Sequence, residues 1–189
     1  MNAPLPPRRR DALDAAPAMR VLERVATEGR QALAPADVAA LLESLGMKPP
    51  SGAPAGETVA LRIALQETRE YGLILSAGLG GTDGAMMEHA LRRGLGRTDA
   101  LVGLTDAADF LDRFRGTYAY QAAASVAQRA GRPVPDEMLA DCFASLLALA
   151  DALAANPEAA WSLRILELEP VQVRMNGTLD VAAARCTLA

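Results

Sequence analysis

An α+β fold is what this sequence predicts, from three features. Strand-like runs gather toward the two ends of the chain, at 58–66, 71–75 and 161–188, while residues 105–155 between them read almost wholly as helix. The link between the first two strands, Glu67-Thr68-Arg69-Glu70, is too short for a crossover, so they should pair antiparallel. Near the C-terminus, Asn176-Gly177 between apolar runs is the strongest local turn signal in the chain. Together these imply a mainly antiparallel sheet of about four strands packed with helices.

Taken in order, residues 1–10 are rich in Pro and Arg and are expected to be disordered. Met19, Leu22, Val25 and Ala26 fall at helical spacing, so residues 1–30 form a tail and an N-terminal helical arm, and residues 31–189 form one domain. A second helix opens at Ala34-Pro35-Ala36-Asp37, buries Val38, Leu41, Leu42 and Leu45, and ends at Gly46 before Pro49-Pro50. The stripe over residues 19–45 is a candidate contact for a partner, because a chain this short is hard pressed to bury it.

A Gly/Pro/Ala linker at 51–56 precedes a strand with Val59, Leu61, Ile63 and Leu65 on one side. The 71–75 strand leads into Ser76-Ala77-Gly78-Leu79-Gly80-Gly81-Thr82-Asp83-Gly84 and then a helix over 85–93. Residues 100–104 read as a short strand. Thr105-Asp106 then caps a long helix with Ala108, Leu111, Phe114, Tyr118 and Ala122 on its buried side, broken at 129–133. A further helix starts at Pro135-Asp136-Glu137 and stops at Asn156-Pro157. The last two strands, 161–173 and 178–188, flank the Asn-Gly turn.

Composition narrows the function. Of the 189 residues, 51% are apolar and only 4% aromatic, so the core is built from Ala, Leu and Val. A net charge of −4 and a pI near 5.1 argue against a nucleic-acid binder, which needs a basic face. No run reaches the roughly 20 apolar residues of a membrane span, and the N-terminus has no secretory pattern, so a cytoplasmic protein is expected. Cys142 and Cys186 form no CxxC pair and read as free buried thiols. Lys48 is the single lysine, in a loop after a helix, and His89 the single histidine; sites built on several histidines or on lysine chemistry elsewhere are excluded.

The glycine stretch is the natural site candidate. Strand, glycine turn and helix in this order suit phosphate or oxyanion binding, since glycines let backbone N–H groups close on the ligand and helix N-termini favour negative charge. The spacing matches neither GxxxxGKS nor GxGxxG, so a plain tight turn between packed elements is the stronger reading of these residues by themselves. Gly78, Gly80, Gly81 and Thr82 are the residues that would cradle a phosphate. Glu167 and Glu169 alternate on a strand and so share a face; they either hold a cation or face water.

These segments, in this order, resemble the C-terminal part of the ATP-grasp module of NDP-forming acyl-CoA synthetases (acetate–CoA ligase, ADP-forming type). The matching parts are Tyr71-Gly72, an apolar strand, Gly78-Leu79-Gly80-Gly81 and a helix; then Phe110-Leu111-Asp112-Arg113-Phe114-Arg115 and a Pro-started helix; then Glu167-Leu168-Glu169-Pro170, Asn176-Gly177 and Val181-Ala182-Ala183-Ala184-Arg185. Ala36-Asp37-Val38-Ala39-Ala40-Leu41-Leu42 looks like the helix that opens that module. The resemblance spans about residues 30–188 and implies an ATP-grasp-like half module. It also implies ATP or ADP at the glycine turn, Mg²⁺ at Glu167 and Glu169, and a CoA-binding-domain protein as partner subunit. The implied reaction is acid, CoA and ATP giving acyl-CoA, ADP and phosphate, with a phosphohistidine intermediate for which His89 is the candidate acceptor.

Departures are equally specific. The family's lysine-bearing strand and glycine-rich lid have only the interval 49–58 to occupy, and no lysine lies in it. Glu169 replaces the family's Asn, Ala183 its metal-binding Asp, and Asp180 is at best a displaced substitute. Ala85, Glu88 and His89 stand where the family more often has Glu, Lys and Asp. The sequence therefore leaves a subunit or fragment that needs a partner for catalysis, alongside a non-catalytic protein-interaction module and, third, a small-molecule sensor that uses the turn as an anion pocket.

Overall fold

The computed structural model describes residues 14–48, 58–90, 95–129, 131, 133–174 and 179–189. The expected tail at 1–10, the linker at 51–56 and the Asn176-Gly177 turn lie outside the described residues.

The N-terminal helices are α1 (Ala16–Thr27) and α2 (Pro35–Ser44), followed by β1 (Thr58–Thr68) and β2 (Gly72–Leu79). Next come α3 (Gly81–Ala90) and β3 (Arg97–Leu101), which runs into a single 3₁₀ turn at Val102–Leu104. The helical middle is α4 (Ala107–Arg115), α5 (Tyr118–Arg129) and α6 (Asp136–Ala154), and the chain closes with β4 (Leu163–Arg174), β5 (Leu179–Val181) and β6 (Ala184–Leu188). The fold is α+β and ATP-grasp-like, with six strands in one antiparallel sheet where about four were expected. Their order is β3-β2-β1-β4-β5, and β6 lies along the same edge of β4 as β5.

Alternation explains which face the helices cover. Leu61, Ile63 and Leu65 on β1 are fully buried in one core with Leu75, Leu166, Leu168, Val171 and Val173. The helices close over them through Leu22, Leu41, Phe110, Phe143 and Leu146. The chain's three phenylalanines meet there edge to face, Phe110 and Phe114 each against Phe143 at centroid distances of 4.7 and 5.9 Å. On the opposite face of the sheet stand Arg62, Gln66, Ser76 and Glu169, half-buried or exposed.

Four sequence expectations shift. Met19, Leu22, Val25, Val38, Leu41, Leu42 and Leu45, read as a stripe for a partner, are buried within this chain, because α1 and α2 pack on each other and into the core. The single long helix from residue 105 is two helices. Gly116 ends α4, and Thr117 turns the chain: its hydroxyl donates to the Phe114 carbonyl at 2.7 Å and accepts the Tyr120 N–H at 3.2 Å. The short strand sits three residues earlier than read, with Ala100 opposite Leu75. The final return strand is split into β5 and β6 by Ala182-Ala183, whose backbone groups bond instead across the Glu169-Pro170 step of β4. Asp106 caps α4 as read, accepting the Ala108 and Asp109 N–H groups at 3.0 and 2.9 Å.

Candidate functional site

β2 runs on through Ser76, Ala77 and Gly78 to Leu79, which shortens the glycine turn to Gly80-Gly81. Gly78 is a strand residue paired with Arg62 and Arg97; a Cβ there would lie 2.6 Å from the Arg97 Cβ, so glycine is a packing requirement. At Gly80 a Cβ would sit 2.7 Å from the Leu61 carbonyl carbon and oxygen, main-chain atoms that cannot swing away. Gly81 has φ 66°, the left-handed region in which glycine is at ease.

The donors of this turn are already engaged. Gly80 N–H bonds the Ala60 carbonyl at 2.9 Å, extending the β1–β2 ladder. Gly81 N–H, at the start of α3, bonds Oε1 of Glu169 at 2.9 Å. A carboxylate there complements the positive end of the helix, as a phosphate would. Thr82 is exposed on the first turn of α3, and His89 lies on the same helix with its side chain outside the described residues.

Glu167 and Glu169 do come together with the glycine turn. Glu167 is only 5% exposed. Arg62 Nε donates to its Oε1 at 2.5 Å and approaches Glu169 Oε2 at 3.3 Å. Arg185, opposite Glu167 on β6, holds the other Glu167 oxygen. A β-bulge makes this possible: Leu61 pairs with Val171 and Ile63 with Leu168, so Arg62 alone faces Glu169 and Pro170, joined by a cis peptide. The four charged side chains, with Ala183 and Ala184, line a cavity of about 490 Å³.

Ala183, where the resemblance expected a metal-binding Asp, supplies a backbone carbonyl that Glu169 N–H takes at 3.0 Å. Asp180 is on β5 opposite Gln172, and Lys48 is exposed after α2. Among the described residues no group of three His, Cys, Asp or Glu side chains is placed to hold a metal ion. The two arginines are the site residues that sequence reasoning passed over. Arg62 could have been found as the one charge inside the apolar run Val59-Ala60-Leu61-Arg62-Ile63.

Cys142 and Cys186 are free and buried, as read, and burial pushes both thiols up to about 12. No helix among the described residues is long and apolar enough to cross a membrane.

Neither a protein-family model nor a curated protein matches the chain. Solved structures do. One similar chain, of a Pyrococcus horikoshii protein, superposes with a TM-score of 0.66 at 14% identity over 92% of this chain and 98% of that one. Another is the dinucleotide-forming acetyl-coenzyme A synthetase 1 of Ca. Korarchaeum cryptofilum, with a TM-score of 0.62 at 17% identity over 91% of this chain and 100% of that one. The fold is shared with acetyl-coenzyme A synthetase. That neighbour was solved with coenzyme A and Mg-AMPPCP, its phosphohistidine segment pointing towards the nucleotide site, and its apo form matches over the same spans. At these identities the likeness is one of fold.

Proposed function

We propose that this chain is an ATP-grasp-like half module that serves an acyl-CoA-synthetase-type assembly as a non-catalytic subunit. One observation carries the reading: Glu169 accepts the Gly81 N–H while Arg62 lies between Glu169 and Glu167. A phosphate needs free N–H donors at the turn, and Mg²⁺ needs free carboxylate oxygens. Here Gly80 N–H is taken by the Ala60 carbonyl and Gly81 N–H by Glu169, while Arg62 and Arg185 hold the carboxylates. The Mg²⁺ donor set implied by resemblance does not fit, since both carboxylates already face guanidinium groups, and no step is routed through the ion.

A second reading keeps catalysis. With a CoA-binding-domain partner, the chain would take part in making acyl-CoA, ADP and phosphate from acid, CoA and ATP. Gly78, Gly80, Gly81 and Thr82 would then hold phosphate, Glu167 and Glu169 would be freed for Mg²⁺, and His89 would be a candidate phosphate acceptor. It is favoured by the part-exposed side chains of Arg62 (33%) and Arg185 (66%) at the mouth of the cavity, because guanidinium binds phosphate bidentately.

Calorimetric titration of the purified chain with Mg·ATP, ADP and CoA separates the two. The unaltered chain is expected to bind none of them, and Glu169→Ala, which frees the Gly81 N–H, to gain weak ATP binding, with a Kd of roughly a millimolar. Submillimolar, Mg²⁺-dependent ATP binding by the unaltered chain, or by the complex isolated with it from its native cells, overturns the first reading in favour of the second.

A further inference from the structure

A larger cavity, of about 780 Å³, opens where the β1–β2 turn meets the C-terminal end of α6. β2 runs from Gly72 at this cavity to Leu79 at the glycine turn, so the two sites lie roughly 23 Å apart along the strand. Tyr71, Leu73, Leu101, Leu104, Leu153 and Trp161 give it an apolar wall. Tyr71 and Leu104 are 63% and 76% exposed, large apolar side chains that no helix among the described residues covers. Two carboxylates, Glu67 and Asp151, line the cavity, and among the described residues no basic side chain does.

The cavity is also braced. Ser162 Oγ donates to Glu67 Oε2 at 3.0 Å, and Ser162 and Ala189 exchange two backbone hydrogen bonds of 3.0 Å. These fix the segment that presents Trp161.

We propose that this cavity binds an organic cation, an ammonium group on an apolar skeleton. Its volume is that of a small-molecule site, and its wall would bury the skeleton. The Trp161 and Tyr71 rings attract an ammonium group, and Glu67 and Asp151 supply charge-assisted acceptors. A carboxylate or phosphate ligand would meet two like charges. The site is independent of the glycine turn and of the reading given to it.

Trp161 is the chain's single tryptophan, so its fluorescence reports occupancy directly. The purified chain is titrated at neutral pH with cyclohexylmethylamine, cyclohexylmethanol and cyclohexanecarboxylate, three probes of one shape and different charge. The amine is expected to give a saturable change with a Kd about tenfold below that of the alcohol, and the carboxylate none. Glu67→Gln with Asp151→Asn is expected to cut the amine's preference over the alcohol from about tenfold to about threefold, the remainder being the attraction of the two rings. Both side chains are exposed, and a circular-dichroism melt checks the fold; if the pair fails to fold, Asp151→Asn alone is read for a reduced preference. No saturable change with the amine, equal or tighter binding of alcohol or carboxylate by the unaltered chain, or an amine preference that the substitutions leave undiminished overturns the proposal.

Discussion

Asp37 and Glu167 are the two buried carboxylates among the described residues, and each is held by two arginines. Their surroundings differ. Asp37 takes Arg24 and Arg30, both at 2.7 Å, and also the Ala34 N–H at 3.3 Å, so one short corner of chain supplies every partner. It clamps α1 to the start of α2. Glu167 takes Arg62 from a strand 105 positions earlier and Arg185 from the far edge of β4, and it faces a cavity. The same chemistry thus does two jobs. At Asp37 the arginines come from the end of α1 and the turn that follows it, so the pairing ties two adjacent helices together. At Glu167 they line a cavity that a phosphate drawn to the arginines could enter.

Three substitutions probe that difference, the most damaging first. Gly80→Val moves the turn that Glu169 holds; with the Leu61 backbone 2.7 Å from the new Cβ, it is expected to cost about 3 kcal/mol in urea denaturation. That loss would remove any ligand binding through unfolding, so Glu169→Ala is the cleaner probe of the site. Glu167→Gln leaves Arg62 with Glu169 but strips Arg185 of its charge partner, and about 2 kcal/mol is expected. A loss under about 0.5 kcal/mol would mean that the pair is worth no more than a surface ion pair, and the contrast with Asp37 would fail.

Asp37→Ala is expected to cost about 1 kcal/mol at neutral pH, with a pH signature of its own. The Arg30 guanidinium, hydrogen-bonded to Asp37, holds its carboxyl below the usual value of 3.8. Its contribution is therefore complete above 3.8 and is lost as pH falls through the lower folded value. The gap in melting temperature between the native chain and Asp37→Ala should close in acid. A gap that held constant to the lowest pH at which the chain folds would assign the effect to helix packing.

Much of this fold is legible from local patterns, and the misses have local causes too. Val59, Leu61, Ile63 and Leu65 give away β1 because one face is buried and period 2 is strict. The Asp106 cap is legible because its acceptor serves N–H groups two and three residues on. The break at Gly116-Thr117 was hidden beneath apolar residues that keep helical spacing across it, although a Thr after a Gly could have marked it. At the site, the convergence of Gly81, Glu167 and Glu169 was legible as a shared motif order. The Arg62 bridge was not, because a bulge in a partner strand a hundred positions away decides where Arg62 reaches.

The pairing of β1 with β4 has a consequence for how the molecule is made. β1 ends at Thr68 and β4 begins at Leu163, so the centre of the sheet closes only after the whole helical middle has been synthesised. Until then the edge of β1 that pairs with β4 has no partner strand. Contacts so distant in sequence slow folding, and such an edge is a template for pairing between chains. Any fragment ending before Leu163 should therefore aggregate, whatever its last residues do in the finished protein.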